Sequence, residues 1–287
     1  MYRERLNPRI DFAFKKIFGS EENKDLLKAL LNAILPKEDQ VKSLTLKNPY
    51  TLKSRDTDKS SILDIRAVGK DGVQFNIEMQ VADELGYEKR ALYLWSEVYK
   101  EQLKAGESYK QLKRTISIHI LNFTLMKEEN YHNHYAILNK KSKKEAFTDL
   151  QLHTIELNKF ESAHGYTHVR TSLDRWSTFL TRADELANGP LPKALQKDKA
   201  IVRALQVLQT TVLTDEEYQT YRNHIAWLRM EQSAIEAAEA KAEAKGKAET
   251  EAAMVIKMNH AGMPARDIVR ITGFLEAKIQ QILADRG

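Results

Sequence analysis

Residues 62–80, ILDIRAVGKDGVQFNIEMQ, alternate between apolar and polar side chains in two runs that flank a Gly-Lys-Asp-Gly segment. This pattern predicts a β-hairpin. We expect residues 70–72 to form a three-residue loop, with Gly72 in the left-handed conformation. In the register set by that loop, Asp64 lies directly opposite Glu78 on the neighbouring strand.

The same register gives the hairpin one polar and one apolar face, because side chains alternate along a strand. The polar face carries Asp64, Arg66, Asn76, Glu78 and Gln80, and the apolar face carries Leu63, Ile65, Ala67, Val73, Phe75, Ile77 and Met79. Opposed carboxylates have Cβ atoms about 5 Å apart and repel each other unless a cation neutralises them. Two interpretations stay open at this point. The face is either a divalent-cation site with oxygen ligands or a solvated strand face on which Arg66 screens both acids.

Composition narrows the chemistry further. The chain has 287 residues, a net charge of +5 and no cysteine. Thiol nucleophiles, disulfides and cysteine zinc sites are therefore excluded, and the mild basic bias is compatible with a nucleic-acid partner. No run of 18 apolar residues occurs, and the first residues are too charged for a signal peptide, so we expect a cytoplasmic protein without a membrane segment.

Helical periodicity precedes and follows the hairpin. Residues 10–19 predict a short helix, with Asp11 and Lys15 beside its apolar stripe. A second helix would bury Leu26, Leu27, Leu30, Leu31 and Ile34 before ending at Pro36. After the hairpin, Asp83 and Glu84 are predicted to open a helix that runs to about Leu103. Its predicted buried stripe is Leu85, Leu92, Trp95, Val98, Tyr99 and Leu103, and its predicted surface residues are Tyr87, Arg90 and Tyr93.

Further strands are expected in the middle of the chain. Thr115–Phe123 is rich in β-branched residues and predicts a central strand, in which we interpret His119 as a hydrogen-bonded histidine of the sheet. Strand-like segments follow in residues 131–157. We interpret His132, His134 and His153 as surface residues, because their spacing matches no recognised metal site.

The C-terminal part of the chain is almost wholly helical. We predict a core domain in residues 1–173, a helical subdomain packed on it in residues 174–231, an Ala/Glu/Lys helical spacer in residues 232–253, and a small helical module in residues 254–287. Three short helices in that module resemble a helix-turn-helix, with Lys278, Gln281 and Arg286 on the last helix. The module would serve either DNA contact or self-association.

Four segments occur in the order seen in one known family: DFAFKKIFG, LDIRAVGKDGVQFNIEMQ, YEKRALYLWSEVY and TISIHILNF. This set resembles the Rpn family of recombination-promoting nucleases, also called putative transposases, within the PD-(D/E)XK nuclease superfamily. The resemblance implies an α/β fold with a restriction-endonuclease-like core, that is, a mixed central sheet flanked by helices, and a helical C-terminal extension.

The resemblance also implies roles for individual residues. Asp64 and Glu78 match the two carboxylates that hold Mg²⁺, for which Ca²⁺ or Mn²⁺ would be substitutes. Gln80 occupies the position that is usually lysine, and its amide would orient the attacking water. Asp11 matches the acidic residue of the first helix. Lys15, Lys16 and Arg90 are candidates to contact DNA phosphates, with a solvated surface charge as the alternative for each.

The function implied is that of a Mg²⁺-dependent DNA endonuclease that promotes recombination or defends against mobile elements and phage. The alternative is a non-catalytic DNA-binding or regulatory protein that keeps a nuclease-like fold. Because cutting both strands of a duplex normally needs two active sites, we also expect a homodimer or higher homo-oligomer.

Overall fold

The computed structural model describes residues 6–47, 65–163 and 169–286. Within these ranges the strands are β1 (Leu44–Leu46), β2 (Ile65–Gly69), β3 (Gln74–Gln80), β4 (Thr115–Leu121), β5 (His132–Leu138) and β6 (Glu145–Glu156). The α-helices of the same ranges are α1 (Asp11–Phe18), α2 (Lys24–Ile34), α3 (Tyr87–Lys100), α4 (Leu157–Ala163), α5 (Ser172–Asn188), α6 (Lys193–Gln196), α7 (Lys199–Thr210), α8 (Asp215–His260), α9 (Ala265–Thr272) and α10 (Glu276–Arg286).

These strands form one sheet in the order β1-β2-β3-β4-β6-β5. The central strands β3, β4 and β6 run parallel, whereas β1, β2 and β5 are antiparallel to their neighbours. Parallel neighbours need a crossover connection, and α3 supplies the one between β3 and β4. The predicted mixed sheet with flanking helices is therefore confirmed.

The β2–β3 hairpin has the turn that the sequence predicts. The amide of Gly69 donates to the carbonyl of Val73 at 2.9 Å, and Gly72 has a φ of +86°. A side chain at residue 72 would be strained at that φ. The apolar face of the hairpin is buried as expected, at Ile65, Ala67, Phe75, Ile77 and Met79.

The first two helices also follow the predicted pattern. All five apolar residues predicted for α2 are buried, and α2 ends before Pro36. α1 packs against β3, the strand that carries Glu78. Its Phe18 ring lies 5.6 Å from the Trp176 ring of α5, so α1 is held between the sheet and the helices that follow it.

Helix α3 differs from the prediction in its start and in its buried face. It begins at Tyr87, because Gly86 has a φ of +81° and breaks the helical conformation. Leu85 and Leu92, predicted to be buried, are exposed. Val98 is buried as predicted, and the other buried residues are Tyr87, Ala91 and Leu94, which complete a stripe spaced by three and four residues.

Two compact units are present, residues 1–225 and 226–287. In the first, α5 and α7 pack against each other and against α2. The residues predicted as the end of a subdomain, a spacer and the start of a module form one continuous helix of 46 residues, α8. Alanine, glutamate and lysine all favour helix, and Gly246 alone does not end it. In the described ranges, neither α8 nor any other helix has an apolar stretch that could cross a membrane. The domain boundaries at residues 173, 231 and 253 remain predictions.

The second unit has a small core of its own. Val255 of α8, Ile268 of α9 and Ile279 of α10 are fully buried against one another. Gly273 ends α9 in the left-handed conformation. The ammonium of Lys278, predicted to lie on the last helix, forms an ion pair with Glu251 of the same unit at 2.5 Å.

Candidate functional site

The polar face of β3 carries Asn76, Glu78 and Gln80 in a row. Glu78 is 8% exposed, and its Oε1 accepts a hydrogen bond of 3.2 Å from the side-chain amide of Asn76. The β2–β3 register pairs Ile65 with Ile77, which is the register used to predict that Asp64 faces Glu78. Asp64 itself lies outside the described residues, so that pairing remains a prediction.

The side-chain amide of Gln80 is held in one orientation by its neighbours. Its Nε2 donates to the backbone carbonyl of Ala82 at 3.2 Å and to Oε1 of Glu84 at 3.1 Å. Both partners only accept hydrogen bonds, so the nitrogen of the amide must face them. Oε1 of Gln80 therefore points the other way, and no described residue donates to it.

Glu84 also connects Gln80 to Arg90. Its second carboxylate oxygen forms an ion pair with Nη1 of Arg90. Burial disfavours the charge on Arg90, but the hydrogen bond and the attraction from Glu84 outweigh this effect and raise the pKa of the guanidinium. The sequence interpretation placed Glu84 inside a helix. It lies instead in the turn before α3, and Gly86 is the signal that could have shown this.

His119 lies beside Glu78 on the same face of the sheet, because the two residues are paired in the β3–β4 ladder. Its Nδ1 is 2.9 Å from the Tyr87 hydroxyl, and its Nε2 is 3.1 Å from Oγ of Ser117. Burial, with a smaller contribution from Arg90, lowers the pKa of His119 to about 3. The interpretation of His119 as a hydrogen-bonded sheet histidine is confirmed.

Tyr87 forms the wall of the site next to His119. It is fully buried, and burial together with the charge of Glu78 raises the pKa of its hydroxyl above the usual value. The placement of Tyr87 on the surface of the helix is therefore wrong. Tyr93, by contrast, is 61% exposed, as a surface residue of the helix should be.

A family model described as PD-(D/E)XK nuclease family transposase matches residues 8–238. This match spans more than three quarters of the chain and includes α1, the hairpin, α3 and the whole sheet. The chain belongs to this family. No curated protein and no solved structure gives a significant match.

Two of the predicted site residues of α1 have partners on α8. Oδ1 of Asp11 lies 2.7 Å from Nε2 of His224, and Nζ of Lys16 lies 2.5 Å from the buried carboxylate of Glu217. Lys15 is only 4% exposed. No functional residue was predicted from the sequence in the region that forms the start of α8. No periodicity in that helix indicates that it would contact Asp11.

Oxygen atoms that could bind a divalent cation lie next to Glu78. Beyond the carboxylate itself, Oδ1 of Asn76 is buried and has no hydrogen-bond partner among the described residues. Carboxylate and amide oxygens are the hard ligands that Mg²⁺ prefers. Within the same residues, no group of three or more His, Cys, Asp or Glu side chains has a geometry that could hold a metal. The second predicted ligand, Asp64, lies outside the described residues.

The remaining histidines of the sheet form a stack, in which His134 is exposed as predicted. The rings of His134 and His153 lie 4.3 Å apart and nearly parallel, and Nε2 of His132 is 3.1 Å from Nδ1 of His153. His153 is fully buried, so its interpretation as a surface residue is wrong. Burial first, and then the neighbouring histidines, lower the pKa of His153 to about 3 and that of His132 to about 4.

Proposed function

We propose that this PD-(D/E)XK family transposase is a divalent-metal-dependent endonuclease that hydrolyses phosphodiester bonds of DNA. The observation that carries the proposal is the nearly buried carboxylate of Glu78, with Asn76 and Gln80 beside it on one face of β3. A protein that only binds DNA has no need of a carboxylate at this nearly buried position, whereas a metal-dependent nuclease needs one as an oxygen ligand.

Asp64 and Glu78 would hold the ion, which we propose is Mg²⁺, with Mn²⁺ or Ca²⁺ as substitutes. When bound, the ion would lower the pKa of a water molecule and stabilise charge on the phosphoryl oxygens. Asn76 would keep the Glu78 carboxylate in a fixed orientation through its hydrogen bond. Asp11, on the adjacent helix, would hold a further water.

Gln80 would position the attacking water by accepting a hydrogen bond through Oε1. Its two N–H groups are already used by Ala82 and Glu84, so it has no donor left for a phosphate oxygen. An amide is neither a base nor a cation, so Gln80 contributes orientation and no charge. His119 is not a candidate base, because both of its ring nitrogens have partners and it is buried.

The substrate contacts follow from the same arrangement. Arg90 is held next to the site by Glu84, and we propose that it contacts a DNA phosphate. Lys15 is only 4% exposed and Lys16 is paired with the buried Glu217, so Arg90 is the most accessible of the three predicted phosphate contacts. With these residues the chain would act as a recombination-promoting nuclease of the Rpn type on mobile or foreign DNA. It would work as a homodimer or higher homo-oligomer.

Incubation of the purified chain with supercoiled plasmid tests this function. Nicked or linear product is expected with Mg²⁺ or Mn²⁺, and no product is expected with EDTA. DNA binding without cleavage in every metal would instead support a regulatory protein on a nuclease fold. Cleavage that is unaffected by EDTA would contradict the proposed mechanism.

Glu84 provides a sharper test of how Gln80 works. Glu84→Ala removes the acceptor that orients the Gln80 amide, and we expect single-turnover cleavage to slow by about tenfold, the effect of losing one hydrogen bond to a charged group. Glu84→Gln should lose less, because its carbonyl oxygen can still accept from Nε2 of Gln80.

A double-mutant cycle provides the control for that experiment. In a Gln80→Ala background, Glu84→Ala should have a smaller effect on the single-turnover rate, because one of the two groups that it orients is gone. The rate is measured at saturating protein, so that weaker DNA binding through Arg90 does not contribute. If Glu84→Ala slows cleavage by the same factor in both backgrounds, Glu84 does not act through Gln80.

A further inference from the structure

The hairpin formed by β5 and β6 extends beyond the rest of the sheet. β6 pairs with β4 only from Leu150 onward. Its residues 145–149 are hydrogen-bonded on one side only, to β5. Residues 137–149 therefore form a two-stranded projection, which we call the arm.

The turn at the end of the arm has a fixed backbone and four lysines. Residues 139–144 read NKKSKK. The amide of Asn139 donates to the carbonyl of Lys144 at 2.8 Å, and its side chain accepts from the amides of Lys141 and Ser142, both at 3.0 Å. The lysine side chains take no part in this order. No described carboxylate forms an ion pair with any of them.

The arm also exposes apolar side chains next to the lysines. Ile137 and Phe147 are cross-strand partners, and they are 40% and 69% exposed. An aromatic ring exposed to this degree gains from leaving water, and such side chains contribute most of the affinity where they are covered by a partner. The lysines beside the Phe147 ring favour a partner that is negatively charged as well as able to cover an apolar side chain.

The base of the arm is anchored to α3. The Tyr99 hydroxyl donates to Oδ2 of Asp149 at 2.7 Å, and the Trp95 ring stacks on Tyr99 with 4.9 Å between centroids. The arm contains two acidic residues, and one of them, Asp149, accepts this hydrogen bond at the base. The other, Glu145, lies beside four lysines, so the outer half of the arm has a net positive charge.

We propose that the arm binds duplex DNA. Its lysines would contact phosphates, and Phe147 with Ile137 would contact the sugars and base edges within a groove. A two-stranded β-ribbon fits the major groove, and lysines that contact phosphates release counterions and so favour binding. The proposal rests on the proposed function only for the kind of partner, DNA.

The arm is a contact separate from the cleavage site. It leaves the sheet at the end where β3 and β4 begin, since Gln74, Thr115 and Leu150 are neighbours across the three strands. Glu78 and Gln80 lie towards the other end of β3. At about 3.3 Å per residue, the lysine turn is roughly 30 Å from the level of Glu78 along the strands. Loss of the arm contacts should therefore weaken binding and leave the chemical step intact.

The test replaces three lysines by glutamine, Lys140→Gln, Lys141→Gln and Lys144→Gln, in the full-length chain. Lys143 is kept, so that the left-handed backbone at that position, with a φ of +57°, is not disturbed. The matched control replaces three exposed lysines of α8, at residues 241, 245 and 247, so that the net charge changes equally. Affinity for a labelled duplex is measured in EDTA at several salt concentrations.

For the arm variant we expect at least a tenfold loss of affinity at 0.1 M salt. The plot of log affinity against log salt has a negative slope, and its magnitude should fall by about 2 to 3, since each phosphate contact contributes about 0.9. The control should retain wild-type affinity and slope. Equal losses in both variants would overturn the proposal, because net charge alone would then explain them.

Phe147→Ala tests the apolar part of the contact at an exposed position where folding should be unaffected. It is expected to weaken binding several-fold with an unchanged salt slope. A different role for the lysines is to keep the edge strand from pairing with other chains. On that account the lysine variant would self-associate with unchanged DNA affinity, and this result would contradict the proposal.

These experiments distinguish failure of the arm proposal from failure of the nuclease proposal. If the wild type cuts DNA but the arm variants bind and cut as it does, only the arm proposal fails. If the wild type binds duplex through the arm but never cuts, the arm proposal stands and the nuclease proposal fails.

Discussion

Replacement of Glu78 by glutamine is expected to slow DNA cleavage by about a thousandfold or more, with little effect on the fold. The substitution keeps the shape of the side chain and an oxygen that can accept from Asn76, but it removes the charge that would hold the cation. A bound metal contributes several kcal/mol to transition-state stabilisation, and about 4 kcal/mol corresponds to a thousandfold change in rate.

Single-turnover cleavage of a plasmid in Mg²⁺ measures this effect, and thermal unfolding in EDTA checks that the variant is folded. Glu88→Gln is a suitable control, because Glu88 is an exposed acid on the first turn of α3. The control should cut at the wild-type rate. A Glu78→Gln protein that cuts within tenfold of the wild type would rule out Glu78 as a ligand of the catalytic metal.

Acidification from pH 7 to about 5.5 is expected to destabilise the folded chain by several kcal/mol. Burial lowers the pKa values of His119 and His153 to about 3 and that of His132 to about 4. In the unfolded chain these imidazoles titrate near their ordinary value of about 6.5. Between those limits the unfolded state binds more protons, so stability is present above about pH 6.5 and is lost as the pH falls. Each histidine contributes up to about 1.4 kcal/mol per pH unit in that window.

Urea unfolding at pH 7.0, 6.0 and 5.5 measures the free energy of unfolding across this range. The variants His119→Gln and His153→Gln should each show a shallower dependence on pH, because one buried imidazole no longer resists protonation. His260→Gln, at an exposed position at the end of α8, should follow the wild type. If stability is flat between pH 7 and 5.5, the three histidines are not held neutral by the fold.

The features predicted correctly are those fixed by local chemistry. The register of the hairpin follows from its loop length and from the left-handed glycine, so Gly72 determines which side chains share a face with Glu78. The buried side of α2 follows from five apolar residues at helical spacing. The central strand β4 was recognisable from its β-branched residues, and so was the role of His119 within it.

The features predicted wrongly depend on where an element begins or on contacts distant in sequence. Gly86 delays the start of α3, and this changes which residues are buried: Tyr87 moves inside and Leu85 outside. The stack of His153 with His132 and His134 requires the β5–β6 register, which periodicity alone does not supply.

The candidate site shows the same division. The row of Asn76, Glu78 and Gln80 could be derived from alternation along one strand. The orientation of the Gln80 amide could not, because it is imposed by Glu84 from the following turn. The contact between Asp11 and His224 joins two helices more than two hundred residues apart.

Replacement of Asp64 is the decisive test of the proposed metal site. Nicking of supercoiled plasmid in Mg²⁺ should be compared between the wild type and Asp64→Ala, with DNA affinity in EDTA as the check on folding. The Asp64→Ala variant is expected to bind DNA like the wild type and to yield no nicked product above the EDTA background. Nicking by Asp64→Ala at the wild-type rate would show that the paired carboxylates are not the catalytic centre.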